Sequence, residues 1–375
     1  MSKTNRDPYL LTPGPLTTSR ETKAAMLRDW GSRDAAFIEI NQRVRDQLVH
    51  IAHGQYSHVA VPMQGSGTFA VEAMVATFLP RDGKALVLIN GAYGRRIAKI
   101  CDYLGRAYMV HATPEHVAPD PSDVEALLSK DEAITHVIVV HCETTTGILN
   151  PLGEIADVVA AAGRRLLVDA MSTFGALPID ARDMPFDALA ASANKCLEGA
   201  PGVGFVLCRR EVLDDAAGNA HSLSLDLFDQ WSAMEHNGQW RFTPPTHVIA
   251  AFDQALIQHE AEGGVAGRYA RYRENCDILV SGMRARGFTT LLDDSQQAPI
   301  IITFIMPDEP GFVFDEFYDR LQEKGYVIYP GKLTDVDSFR IGCIGHLGAT
   351  EMRGALNAVD QSLTEMGVTL KKTEA

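Results

Sequence analysis

The feature that most constrains the fold of this chain is a regular alternation of short apolar runs with helical stretches. HVAVPM (58–63) precedes GTFAVEAMVATFL (67–79), KALVLIN (84–90) precedes YGRRIAKICDYL (93–104), and HVIVVHC (136–142) precedes LGEIADVVAAAG (152–163). RRLLVDA (164–170) then opens a further unit. Strands alternating with helices of this length imply a mostly parallel sheet with helices on both faces. Because the strands are nearly continuous apolar runs, both of their faces are expected to be buried. FDALAASAN (186–194) and GVGFVLCRR (202–210) extend the strand pattern, whereas 214–246 is polar and reads as a loop. Long helical patterns at 246–263 and 265–287 lead into the strands APIIITFIM, YVIYPG and FRIGC, with helices expected at 312–324 and 350–366. The expected architecture is α/β. An extended arm (1–20) packs with the small domain, a large domain spans 21–260, and a smaller α/β domain spans 261–375. KKTEA is expected to be a solvated tail.

Composition excludes several function classes. A 375-residue chain with 46% hydrophobic and 22% charged residues can bury a large core. Its net charge of −14 argues against nucleic acid or an anionic membrane as main partner. It does not argue against a small anionic substrate in a local basic pocket. The six cysteines form no C-x-x-C pair, so neither a disulfide framework nor a zinc site is expected. No apolar run approaches the ~20 residues of a membrane span. The start MSKTNRDPYLLTPGP has no apolar leader core, and a cytoplasmic location is expected.

Three constellations fall at strand ends, where open α/β sheets collect ligands. Gln64-Gly65-Ser66-Gly67-Thr68 lies between a strand and a helix. Its glycines allow close backbone approach, and free amides at a helix start favour an anion. A plain Ser/Thr cap is the competing reading. Asp169 closes the strand LLVDA and could hold a metal, a pyridinium or a turn, with Ser172 and Thr173 nearby. Lys195 follows a buried strand, where desolvation would make its amine a better nucleophile toward an aldehyde. A snorkelling lysine is the bland alternative. Taken together, the three fit a phosphate-bearing pyridine aldehyde. Tyr93 follows another strand and could stack on a flat ring. The run Glu143-Thr144-Thr145-Thr146-Gly147 offers hydroxyls at yet another strand end, or forms an ordinary polar turn. Arg340, in the apolar strand SFRIGC, demands an anionic partner, whether structural or a substrate.

These residues carry a resemblance to the class V aminotransferases of pyridoxal-phosphate fold type I. The matching stretches run from residue 10 to residue 345: LLTPGPLTTSR, QGSGTFAVEA, INGAYGRR, HCETTTGILNP, VDAMSTFGALPID, SANKCLEGAPG, SLSLDL, WRFTPPTH, YVIYPGK and FRIGCIG. The resemblance implies pyridoxal 5'-phosphate as cofactor, with Lys195 carrying its imine and shuttling the proton. It also implies Asp169 on the ring nitrogen, Tyr93 stacked on the ring, and Ser66, Gly67 and Thr68 on the phosphate with Ser192 or Asn194. Thr145 would contact ring substituents, and Thr243 would reach the phosphate of a second subunit, so a homodimer is implied. Arg340, with Thr18, would bind the substrate anion. Within the family, LTPGPLTTSR, ETTTGILNP, SLSLDL and RFTPPTH point to phosphonate catabolism. The implied reaction is ping-pong transfer from 2-aminoethylphosphonate to pyruvate, giving phosphonoacetaldehyde and alanine. An alanine–glyoxylate or serine–pyruvate type of exchange is the alternative.

Overall fold

The computed structural model describes residues 7–331 and 336–371. Residues 1–6 of the arm, Lys332 of the YVIYPGK stretch and most of the KKTEA tail lie outside the described residues.

Seven strands form the central sheet. In spatial order they are His58–Gln64, Val203–Arg209, Ala188–Ser192, Arg165–Asp169, Ile134–Val140, Lys84–Ile89 and Ala107–Ala112. All run parallel except Val203–Arg209, which is antiparallel to both neighbours. The exception has a local cause: the connection from Ser192 to Val203 holds turns and no helix. A parallel return needs a crossover of a dozen or more residues, usually through a helix. Consequently Gln64, Ser192, Asp169, Val140 and Ile89 all finish at one edge, and Val203 starts there.

The apolar runs are buried on both faces, as the period of two requires. Val137, Val139, Leu166 and Val168 join one core with helices Ala35–Ile51, Pro121–Lys130, Leu152–Ala161 and Thr246–Ala261. Ile138, Val140 and Leu167 join the other, with helices Gly67–Phe78 and Ala92–Leu104. A third core belongs to the C-terminal part, where the three-stranded sheet Ile301–Ile305, Ser338–Gly342 and Tyr329–Pro330 packs with helices Gly264–Ala285, Phe314–Glu323 and Ala349–Met366. Leu11 of the arm is buried in that same core. The arm's Tyr9–Leu10 also pairs in parallel with Tyr326–Val327.

Several helices fall where the sequence reading placed none, Pro121–Lys130 among them. The stretch read as polar loop contains Leu227–Asn237, capped by Asp226 accepting from the Asp229 amide and ended by Gly238 in the left-handed region. Only Leu227, Gln230 and Met234 of it are buried, so the apolar stripe is too thin to stand out. Ala35–Ile51 precedes the alternating region and was not anticipated. It buries Phe37, Ile40, Val44 and Leu48 at helical spacing and pairs Arg43 with Asp253 of Thr246–Ala261 at 2.7 Å.

Candidate active site

A cleft of about 550 Å³ opens where the strand ends converge. Eight of the twelve residues to which the resemblance assigns a role line it: Ser66, Gly67, Thr68, Tyr93, Asp169, Ser192, Asn194 and Lys195. Gly14 and Pro15 of the arm complete the wall over the lysine.

The glycine loop is shaped by backbone need. Gly65 has φ of 120°, a region closed to most side chains, and its amide donates to the Gly202 carbonyl at 2.8 Å. Helix Gly67–Phe78 starts immediately after. Ser66 occupies the N-cap position with extended backbone, yet its side chain makes no capping hydrogen bond. The first amides of the helix therefore face the cleft with no intrahelical acceptor, a ready anion site.

Asp169 is 4% exposed, and its Oδ1 accepts from the Met171 amide at 3.0 Å. Burial pushes this carboxyl up to about 6, and the nearby Glu143 charge pushes the same way. The Met171 amide, Arg96 and Lys195 pull it back down. Lys195 lies in the turn after Ala188–Ser192 and donates through Nζ to the Pro13 carbonyl at 2.6 Å. Burial lowers its amine to about 8. Arg340 and Arg96 push the same way, and Asp169 opposes them. The site thus holds a carboxyl and an amine whose values both move toward neutrality, as groups that exchange protons near pH 7 require. Ser192 Oγ is buried with no partner among the described residues.

Tyr93 sits at the start of helix Ala92–Leu104, with the Arg96 guanidinium 4.7 Å from its ring centroid. Arg96 also donates to Thr68 Oγ1 at 3.2 Å. This arginine was not singled out from the sequence. Its signal was the i,i+3 spacing to Tyr93, which puts both on one helix face.

The other four residues lie elsewhere. Thr145 is fully buried behind the wall, where its hydroxyl donates to Glu143 Oε1 at 2.5 Å and accepts from the Ala92 amide at 3.1 Å. Thr144 lines the cleft in its place. Arg340 lies behind Thr144. It is 6% exposed and donates to the Thr144 carbonyl at 2.7 Å and the Pro330 carbonyl at 3.2 Å. Among the described residues its Nε has no partner and no carboxylate pairs with it. Thr18 is half-buried just ahead of the N-cap Ser19 and does not line the cleft. Thr243 is exposed between two helices and is also outside the cleft of its own chain.

Beneath the lysine turn lies an ionic knot. Glu198 adopts φ of 58°, unusual for a residue with a side chain, and is 4% exposed. Its Oε1 accepts from Arg271 at 2.8 Å and from the Tyr272 hydroxyl at 2.6 Å. Arg271 Nη1 also donates to the Gly345 carbonyl at 2.5 Å and the Leu347 carbonyl at 2.9 Å. Arg268 donates to the Cys196 carbonyl and pairs with Glu262 at 2.7 Å. Glu198→Ala would leave Arg268 and Arg271 sharing the single carboxylate of Glu262, 2.7 Å from each, and would strip the buried Tyr272 hydroxyl of its acceptor; a loss of roughly 1–3 kcal/mol is expected. Chemical denaturation of the variant checks this, and an unchanged midpoint would show the knot to be energetically idle.

The aminotransferase class-V family model matches residues 17–317. Over 362 residues the chain is 56% identical to a 2-aminoethylphosphonate–pyruvate transaminase of Pseudomonas fluorescens strain Pf-5, covering 96% of this chain and 98% of that one. A Pseudomonas aeruginosa protein of the same name (strain UCBPP-PA14) is 56% identical over 368 residues, covering 98% and 99%. Among solved structures, the pyridoxamine–pyruvate aminotransferase of Mesorhizobium loti superposes with a TM-score of 0.88 at 25% identity, covering 99% and 96%. The aspartate aminotransferase of Thermus thermophilus gives 0.85 at 23% identity, covering 96% and 99%, a likeness of fold.

Proposed function

The chain belongs to the class-V aminotransferases, pyridoxal-phosphate-dependent enzymes of fold type I, and on that premise we propose that it transfers the amino group of 2-aminoethylphosphonate to pyruvate. The observation that carries the substrate assignment is 56% identity, over nearly the whole chain, to relatives bearing that name. The cleft fits the cofactor on its own terms. Among the described residues it offers a helix start with no side-chain cap for a phosphate, a partnerless buried hydroxyl on Ser192, and a buried Asp169 with only Oδ1 engaged. Ser66, Gly67 and Thr68 would hold the phosphate, Tyr93 the ring face and Asp169 the ring nitrogen.

When bound, pyridoxal phosphate supplies an aldehyde that exchanges amines and a pyridinium that withdraws electrons. Lys195 would supply the amine that holds the group and would carry a proton on Nζ between donor and acceptor carbons. A value near 8 leaves that amine able both to give and to take a proton at neutral pH. Asp169, buried and anionic, favours a protonated ring nitrogen. Pro13, Gly14 and Pro15 cover the lysine and limit water at Nζ.

Arg340 is the proposed receptor for the substrate anion, phosphonate in one half-reaction and carboxylate in the other. A buried guanidinium that meets two carbonyls and the face of the Tyr329 ring, and no carboxylate among the described residues, retains charge for a ligand. Arg340→Ala is expected to lower kcat/KM for 2-aminoethylphosphonate by roughly 10²–10³-fold, the scale of losing a buried charged hydrogen bond. Steady-state kinetics check this, and an unchanged KM would move the anion site elsewhere.

A second copy of the chain fits the surface beside the cleft. Phe69, Leu223 and Phe242 are 50%, 71% and 46% exposed, and exposed Thr243 follows directly. An apolar patch next to a partly lined phosphate site suits a homodimer in which Thr243 serves the neighbouring cleft. Sedimentation of the protein tests the dimer. Mixing the cofactor-loaded protein with 2-aminoethylphosphonate tests the substrate: conversion to the amine form of the cofactor is expected. No conversion, alongside brisk conversion by L-alanine with glyoxylate as acceptor, would overturn the assignment.

A further inference from the structure

Glu143 is a buried carboxylate that the reaction described above does not use. It follows strand Ile134–Val140, is 0% exposed, and has no cationic side chain paired with it among the described residues. Its charge is met by donors from two directions. The Tyr93 amide reaches Oε2 at 3.1 Å and Oε1 at 3.3 Å, and the Gly94 amide reaches Oε2 at 3.3 Å. From its own turn, the Thr145 amide reaches Oε1 at 3.3 Å and the Thr145 hydroxyl at 2.5 Å. The first set is the open N-terminus of helix Ala92–Leu104, where a carboxylate is strongly favoured. Glu143 therefore replaces a conventional cap with a clamp from a neighbouring strand end.

Two site groups hang on this clamp. Tyr93, whose amide is held directly, presents its ring to the cleft. Thr144 lies between the two clamped residues Glu143 and Thr145, and its carbonyl accepts from Arg340 at 2.7 Å. Space is reserved for the clamp as well. A methyl group on Gly91 would run into the Glu143 side chain, although Gly91 itself has extended backbone open to any residue.

We propose that Glu143 is a positioning residue that fixes the stacking ring of Tyr93 and the anion-binding Arg340 relative to each other, through one carboxylate shared by a helix N-terminus and the 143–145 turn. The inference rests on the reading of Tyr93 and Arg340 given above. Glu143→Gln keeps the shape but turns one oxygen into a donor facing amide donors, so at least one contact must be lost.

The test uses the cofactor-loaded protein and two readouts besides turnover. One is the circular dichroism induced in the bound cofactor, which reports how firmly its ring is held. The other is the dissociation constant of methylphosphonate, which reports the anion site. Glu143→Gln is expected to lose most of the induced ellipticity and to weaken methylphosphonate by about tenfold or more, the effect of one disrupted buried hydrogen bond. Gly91→Ala keeps the Glu143 carboxylate but forces it to shift, so it is expected to move both readouts in the same direction even where Glu143→Gln folds poorly. Parent ellipticity and parent affinity in both variants, with only thermal stability reduced, would overturn the proposal. Failure of the unaltered protein to bind methylphosphonate would instead overturn the substrate reading, with the ellipticity still deciding the role of Glu143.

Discussion

Lys195→Ala is expected to slow amino transfer by about 10⁴-fold or more, because one side chain supplies both the exchanging amine and the proton carrier. Its setting explains the size of the effect. The amine is drawn down to about 8 by burial and by the Arg340 and Arg96 charges. It is protonated below that value and neutral above it. The cofactor-free protein should therefore gain reactivity toward added pyridoxal phosphate between about pH 7 and 9 and level off beyond, whereas an ordinary lysine, near 10.4, would still be rising. Absorbance during a single turnover with 2-aminoethylphosphonate gives the rate, and the pH series on cofactor-free protein gives the titration. Turnover near the parent rate in Lys195→Ala would remove this residue from the chemistry. A titration centred near the ordinary lysine value would instead remove burial as the source of its reactivity.

Asp169→Asn is expected to cost roughly 10³-fold in kcat, the scale of losing a preorganised charge beside the reacting system. Asparagine fills the same volume and can still accept from the Met171 amide, so the loss isolates charge from shape. The carboxyl, raised to about 6 by burial, is anionic above that value and protonated below it, so the interaction is present at neutral pH and fades as pH falls. A cofactor methylated on its ring nitrogen carries a permanent positive charge and is expected to restore part of the activity of Asp169→Asn. No restoration, or no loss in the first place, would reduce Asp169 to a turn-forming residue.

Much of this site was legible because its residues sit where the chain pattern changes. Gly65–Thr68 and Lys195 follow apolar strands, Asp169 closes one, and the sheet brings those strand ends to one edge. What stayed hidden depends on partners far away in sequence. Glu143 reads as part of a polar turn until helix Ala92–Leu104 arrives, 49 and 50 positions earlier in the chain, with its open amides. The Thr144/Thr145 distinction depends on which of two adjacent threonines turns inward, and a hydroxyl run carries no signal for that. Leu227–Asn237 was missed for a different reason, since its polar face dominates its composition while its caps, Asp226 and Gly238, are common in loops too.

The knot around Glu198 bears on how the molecule can move. Arg271 grips the turn carrying Lys195 and, with the same guanidinium, the Gly345–Leu347 segment that follows the strand of Arg340. Lys195 and the segment after the Arg340 strand are thus both tied to one helix, Gly264–Ala285. Displacing the C-terminal part relative to the lysine turn would therefore have to break the same buried ion pairs that hold Glu198 in its left-handed backbone, so the knot couples the two parts of the cleft wall mechanically.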